Sequence, residues 1–442
     1  MRFTVERDVL AEAVAWVARS LPSRPVLPVL SGLLLEASPG GLTLSCFDYE
    51  VSARILVDAK VDDAGTALVP GRLLAEITRS LPPFPVGFDH LGDDVTLSCG
   101  AASFTLVTLP SGEYPRPPEL PRLAGTADGA ALATAIGQVT PAASRDDTLP
   151  VITGVNVEID GAVLRLVATD RYRLAVRELG WQPARAAIRG ELLVPARTLA
   201  EAARMMASGE VVRIMLSGEE EAGRGGPERR ADAVIGFECG GRRLTTRLIG
   251  TEYIKYSSRF PRDFSSCADM PAVQLAEAVR RVALVAERGS SVRLSFAEAA
   301  VTIEAGTRGQ ARARETVAAR FSGDESVIAF SPQYLLDGIG AALTAATHAV
   351  TAEAAQAGAA QAGAAEAGAA QAGAAGAGTA AGEAPGQQPP ADQARIRLQF
   401  TSPTKPALIT GSPHLRGPAK GAGEPAPDFR YLVVPLRTLA DA

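Results

Sequence analysis

This sequence restates itself in order, and that repetition limits what it can fold into. "LPVLSGLLLE" at 27–36 returns as "LPVITGVNVE" at 149–158, an offset of 122 residues. At the same offset "FDYEVSARI" (47–55) falls on "TDRYRLAVR" (169–177), which sets Asp48 over Asp170. "ALVPGRLLAEITRSLP" (67–82) returns 125 residues on as "LLVPARTLAEAARMMA" (192–207), and a further 137 on, more weakly, as "VIAFSPQYLLDGIGAAL" (327–343). "LSCGAASFTLVTLP" (97–110) likewise matches "FECGGRRLTTRLIG" (237–250). Three copies of roughly 125 residues, plus insertions, account for the 442-residue length.

Each copy reads alike. A short strand leads into an amphipathic helix (9–20, 129–141 and 271–287), then alternating strands, a second helix opening on V-P or S-P, and more strands. The proline suits the first helical turn, where its missing N–H has no partner to lose. The expected domains are 1–122, 123–254 and 255–442. Within the third, 352–392 ("AAQAGAAQAGAAEAG…") is read as a flexible insertion: a Gly every few residues costs about 1 kcal/mol each in a helix, and no large apolar side chain is there to bury. The stretches 218–232 and 416–428 read as shorter solvated loops.

Composition narrows the class. With 47% hydrophobic and 21% charged residues and a net charge of −5, nothing global advertises a nucleic-acid partner. The basic residues are nearly all arginine, Lys60, Lys255, Lys405 and Lys420 being the lysines, which hints at a high-GC bacterial genome. The opening "MRFTVERDVL" has no apolar signal core and no run of 18 strongly apolar residues follows, so a cytoplasmic, membrane-free protein is expected. Cys46, Cys99, Cys239 and Cys267 are widely spaced and read as buried single thiols. His90, His348 and His414, scattered among expected loops, give a metal site little support. With no G-x-S-x-G, H-E-x-x-H or G-x-x-x-x-G-K-[ST], neither a catalytic centre nor a cofactor is expected.

Two features are left to explain. Arg72 and Arg79 lie seven apart on the second helix of copy one, and Arg197 and Arg204 fall on the same two positions of copy two. Copy three has Tyr334 and Ala341 there, with Arg280 and Arg281 on its first helix as candidate substitutes. These residues fit either a solvated face or a surface that follows a phosphate backbone. The other feature is "LRLVATDRYRLAVRE" (164–178), where Asp170, Arg171, Tyr172 and Arg173 interrupt an apolar run. Repeat equivalence of Asp48 and Asp170 argues for a structural carboxylate at a strand end rather than a catalytic pair.

The start "MRFTVERDVLAEAVAWVARSLPSRPVLPVLSGLLLE", the central "VATDRYRLAVRE" and the ending "YLVVPLR" together resemble the bacterial DNA polymerase III beta subunit family, the sliding clamps, and its actinobacterial branch in particular. The likeness implies an α+β fold of three tandem DNA-clamp domains, each of two helices packed on antiparallel sheets, closed as a head-to-tail homodimeric ring. It implies a processivity factor that encircles double-stranded DNA without reading its sequence. The implied partners are the DNA polymerase III alpha subunit, an ATP-dependent clamp loader acting through its delta subunit, and other replication and repair proteins with clamp-binding peptides.

By position, the family's partner-peptide pocket between domains two and three falls on Ile152, Thr169, Arg171, Tyr172, Arg173 and Leu174. Ile254, Ser258 and Arg259 join it, Thr404 and Pro406 add a side, and Leu432, Val433, Val434, Pro435, Leu436 and Arg437 form the C-terminal wall. Apolar walls would anchor Leu or Phe while Arg and Tyr hydrogen-bond the peptide backbone. The implied ring joint is Phe104 and Leu106 against Leu284 and Val285, and Arg24 matches a DNA-contacting loop arginine. Ile254 stands for a pocket proline, Ser258 and Arg259 for a basic or apolar pair, and Thr438 for a terminal apolar residue. Those departures leave room for a specialised clamp that tolerates a pocket-directed antibiotic, or for a peptide-binding decoy that does not encircle DNA.

Overall fold

A computed structural model describes residues 1–117, 120–207, 209–217, 233–287, 289–306, 311–345, 394–412 and 428–436. The expected insertion at 352–392, the loop at 218–232, the loop at 416–428 apart from Asp428, His348, His414, Arg437 and Thr438 lie outside the described residues. Contacts group the chain into two compact units, Met1–Leu166 with Leu179–Tyr253, and Val167–Glu178 with Ile254–Ala442.

The first unit holds copy one and most of copy two. Helices Arg7–Ala18 and Gly71–Ser80 pack together in the first copy, Gly129–Val139 and Ala196–Met206 in the second. Their buried residues recur every three or four positions, as in Leu10, Ala13, Val14 and Val17, or Leu199, Ala202, Met205 and Met206. That stripe seats each helix on sheet and leaves the opposite face polar. Strand Val51–Val57 of copy one pairs with Arg242–Arg247 of copy two, from Val51↔Thr246 to Ile55↔Arg242. This single pairing fuses the two copies into one nine-stranded antiparallel sheet. Beside it a five-stranded sheet ends at the edge strand Ala102–Val107.

The second unit repeats the joint. Strand Arg173–Gly180, from copy two, pairs with Phe429–Val433 of copy three, from Arg173↔Val433 to Arg177↔Phe429. Strands Ala407–Ser412, Arg395–Phe400, Ser266–Pro271 and Arg320–Ser322 extend that sheet in order. A four-stranded sheet has Arg312–Ala318 at one edge and Ser326–Phe330 at the other. Buried Phe296 and Phe400 cluster with half-buried Phe321, ring centroids 5.4–6.3 Å apart. The unit's helices are Ala272–Ala283 and 332–345.

Local details differ from the expected ones. Pro70, Pro195 and Pro271 sit one residue earlier than the first helical turn, as cap residues that still belong to the preceding strand. Pro332 alone of this set begins its helix. The helix expected over 271–287 stops at Ala283. His90 lies in strand Val86–Leu91, not in a loop. Cys46, Cys99 and Cys239 are buried, and Cys267 is half-buried.

Candidate partner-binding site

The charged run at 164–178 folds as a tight turn between strands Val163–Thr169 and Arg173–Gly180. Asp170 builds the turn: its Oδ1 accepts from the backbone N–H of Tyr172 and of Arg173, each at 3.0 Å. Arg171 between them takes φ of 79°, a left-handed conformation that costs a residue with a Cβ. Thr169 adds a hydroxyl that accepts from the Arg171 N–H at 3.1 Å. Asp48 makes the same turn in copy one, accepting from Glu50 at 3.0 Å and Val51 at 2.7 Å, with Tyr49 at φ of 76°. The two equivalent carboxylates therefore serve the backbone.

Of these two turns, the one in copy two adds a side-chain network. Arg173 donates through Nε to Asp170 Oδ2 at 2.9 Å and through Nη1 to Asp337 on helix 332–345. Its guanidinium lies over Tyr334, 4.4 Å from the ring centroid. Gln333 donates to the other Asp337 oxygen at 2.8 Å. Burial works against the charge on Arg173, yet Tyr431, Asp337 and Asp170 together raise its pKa above the ordinary value. Below them burial raises the pKa of Tyr431, whose neutral hydroxyl donates to the Tyr334 carbonyl at 2.9 Å. Gly338 makes room for that packing, since a Cβ there would fall 2.6 Å from the Tyr431 ring.

What the network presents outward is an aromatic platform. Tyr172 is 50% exposed, and its ring stacks on Tyr334 with centroids 6.2 Å apart. Half-buried Val434 is tied to it by a hydrogen bond of 2.8 Å from its N–H to the Tyr172 carbonyl, and Leu436, also half-buried, donates its N–H to the Ala329 carbonyl at 2.8 Å. Such a surface can accept an apolar side chain, with Asp170 and Asp337 at its margin.

The expected wall is less open than its sequence implies. Leu174, Leu432 and Val433 are buried in the paired strands, and Pro435 is buried too, so these side chains hold the sheet together. Arg173 is engaged by two carboxylates and is not poised to bond a peptide backbone, whereas Arg171 is exposed. Ile254, Ser258, Arg259 and Thr404 are exposed and Pro406 half-buried in the second unit. Ile152 belongs to the first unit, buried in the single turn Pro150–Thr153. Tyr334, Asp337 and Tyr431 complete the network, although the expected pocket included none of them. The sequence signal for Tyr334 is its place where the other two copies carry Arg72 and Arg197.

Arg24, Arg72, Arg79, Arg197, Arg204, Arg280 and Arg281 are all exposed. Three of them are already occupied. Arg72 donates to the Pro22 carbonyl at 3.0 Å, Arg204 pairs with Glu201 at 2.6 Å, and Arg281 pairs with Glu315 at 2.6 Å and Glu277 at 3.5 Å. Among the described residues Arg24, Arg79, Arg197 and Arg280 are in no ion pair. Of the expected ring-joint residues, Leu284 is 84% exposed, Val285 and Phe104 are half-buried, and Leu106 is only 5% exposed. Leu106 faces inward on its alternating strand, so its side chain is used in its own core.

Among the described residues no three His, Cys, Asp or Glu side chains gather as metal ligands, and no helix is long and apolar enough to cross a membrane. Profiles of the DNA polymerase III beta subunit match in order: the N-terminal domain over residues 1–119, the central domain over 126–255 and the C-terminal domain over 257–350. The beta sliding clamp of Streptomyces coelicolor is 44% identical over 437 residues, covering 99% of each chain. That of Micrococcus luteus is 49% identical over 317 residues, 72% of this chain and 98% of the relative. The crystal structure of the Bacillus subtilis DNA polymerase sliding clamp shares the fold, with TM-score 0.75 over 99% of both chains at 23% identity.

Proposed function

We infer that this chain, which belongs to the DNA polymerase III beta subunit family, closes head to tail with a second copy into a ring around duplex DNA and holds the replicative polymerase there. A sliding clamp of this type is a processivity factor and has no catalytic activity of its own. Its domains are taken as 1–122, 123–254 and 255–442.

The observation that carries the ring is a mismatch of edges. Val51–Val57 of copy one pairs with Arg242–Arg247 of copy two, and Arg173–Gly180 of copy two with Phe429–Val433 of copy three. Continuing the series, Arg312–Ala318 of copy three stands where the donor strand belongs, and Ala102–Val107 of copy one where the acceptor belongs. Among the described residues both are sheet edges. Unpaired edges are templates for strand addition, and a head-to-tail contact that closes abolishes them. Exposed Leu284, with Val285 and Phe104, supplies apolar surface for that joint.

Arg24, Arg79, Arg197 and Arg280 would make weak phosphate contacts with no base reading. The Tyr172–Tyr334 platform, with Val434 and Leu436, would seat the peptides of the alpha subunit, the loader's delta subunit and repair proteins in the cytoplasm. Exposed Ile254, Ser258 and Arg259 favour a narrower reading, a clamp with an altered partner range. Binding of family-consensus peptides and pocket inhibitors as tight as in an ordinary clamp would exclude that narrower reading. The broad reading is tested by primer extension on a primed circle with matched loader, ATP and polymerase. The chain should lengthen products from a single binding event, and unchanged lengths would contradict it.

A further inference from the structure

One face of the nine-stranded sheet carries a groove of about 570 Å³ made wholly of first-unit residues, with Tyr114 and Arg116 on one wall. Strand register sets its floor. Arg54 lies directly opposite Arg243 on one side and Ser45 on the other, and Ser45 lies opposite Leu34. Two like charges facing each other on neighbouring strands destabilise a sheet unless something anionic lies between them.

The described residues supply little of that. Glu36 reaches Arg54 only at 3.9 Å, and Glu238, 2.7 Å from Arg243, is shared with Arg213 at 3.0 Å. Among the described residues that line the groove, three arginines, Arg54, Arg116 and Arg243, face one carboxylate, Glu36, in a protein whose overall charge is −5. A positive groove on a negative molecule selects for an anionic partner by charge complementarity. Its remaining surface is not that of a nucleic-acid channel. Ser45 and Thr245 offer buried hydroxyls, and Leu34 and Tyr114 offer apolar footholds, Tyr114 being fixed where its hydroxyl accepts from Phe47 N–H at 2.7 Å.

We propose that this groove docks an extended acidic peptide segment of a partner protein, with its carboxylates on Arg54 and Arg243 and an apolar side chain against Leu34 and Tyr114. Guanidinium forks match carboxylates in geometry as well as charge. The docking goes beyond the clamp reading and stands without the Tyr172–Tyr334 platform.

Fluorescence anisotropy on the full chain tests it, with a short labelled peptide alternating Asp and Leu and a control alternating Asn and Leu. The acidic peptide should bind, weaken with salt, and weaken by about tenfold or more in the Arg54→Ser/Arg243→Ser double variant, about 1.4 kcal/mol. Arg116→Ser, on the wall and off the sheet, should weaken it severalfold, and Tyr172→Ala should leave it unchanged. Thermal melting of Arg54→Gln should show an equal or higher Tm, because a like-charge pair is relieved. Equal binding of the two peptides, indifference to the arginine variants, a lower Tm for Arg54→Gln, or displacement by a short single-stranded oligonucleotide at lower concentration than by unlabelled acidic peptide would each overturn the proposal.

Discussion

Asp48 and Asp170 are the same residue used twice, and the difference between their surroundings can be measured. Each satisfies two backbone N–H groups of a turn whose next residue is left-handed, but only Asp170 also holds a partly buried arginine, at 2.9 Å. Asp48→Ala should therefore cost about 1–2 kcal/mol and Asp170→Ala about 2–4 kcal/mol, the excess reflecting loss of one of Arg173's two carboxylate partners. Urea midpoints at constant slope would report both. Equal losses would mean that the Arg173 network contributes nothing to stability. The turn was legible in the sequence because the repeat aligns the two aspartates. The network was not, because Asp337 lies 164 residues from Arg173 and only the fold brings them together.

Helices and strands show the same division between what a pattern states and what packing decides. The spacing of Arg72 with Arg79, and of Arg197 with Arg204, fixes which residues share a helix face, and the structure leaves all four exposed. Which of them remain available depends on neighbours, such as Glu201 beside Arg204 and Glu315 on the strand next to Arg281. Removing a free cation should cost more DNA contact than removing a paired one. Arg79→Ala and Arg197→Ala should each lower the salt slope of DNA binding by about 0.9, while Arg204→Ala and Arg281→Ala should change it by much less. Titrating binding against salt checks this, and equal slopes for all four would refute it. In the strand Ala102–Val107, alternation was readable but its polarity was not: Leu106 points into the core while Val107 is exposed. Leu174 and Leu432 were legible as apolar, yet their cross-strand pairing buries them away from any ligand.

For the molecule entire, three copies provide two internal strand joints and leave one complementary pair of edges over. Closure of those edges by a second copy is the economical outcome, and Leu284 offers a variant that tests it without disturbing the fold. At 84% exposure its side chain contributes little to the monomer, so Leu284→Asp should keep the parent's far-UV circular dichroism spectrum. It should nevertheless weaken self-association by about tenfold or more in sedimentation equilibrium, since an unpaired charge would enter an apolar joint. An unchanged association constant would place the joint elsewhere. The most direct test of the account is retention on nicked circular plasmid, loaded with matched loader and ATP, before and after a single cut. An encircling ring should survive high salt on the circle and run off once the DNA is linear. Retention that falls with salt and ignores the cut would contradict the ring.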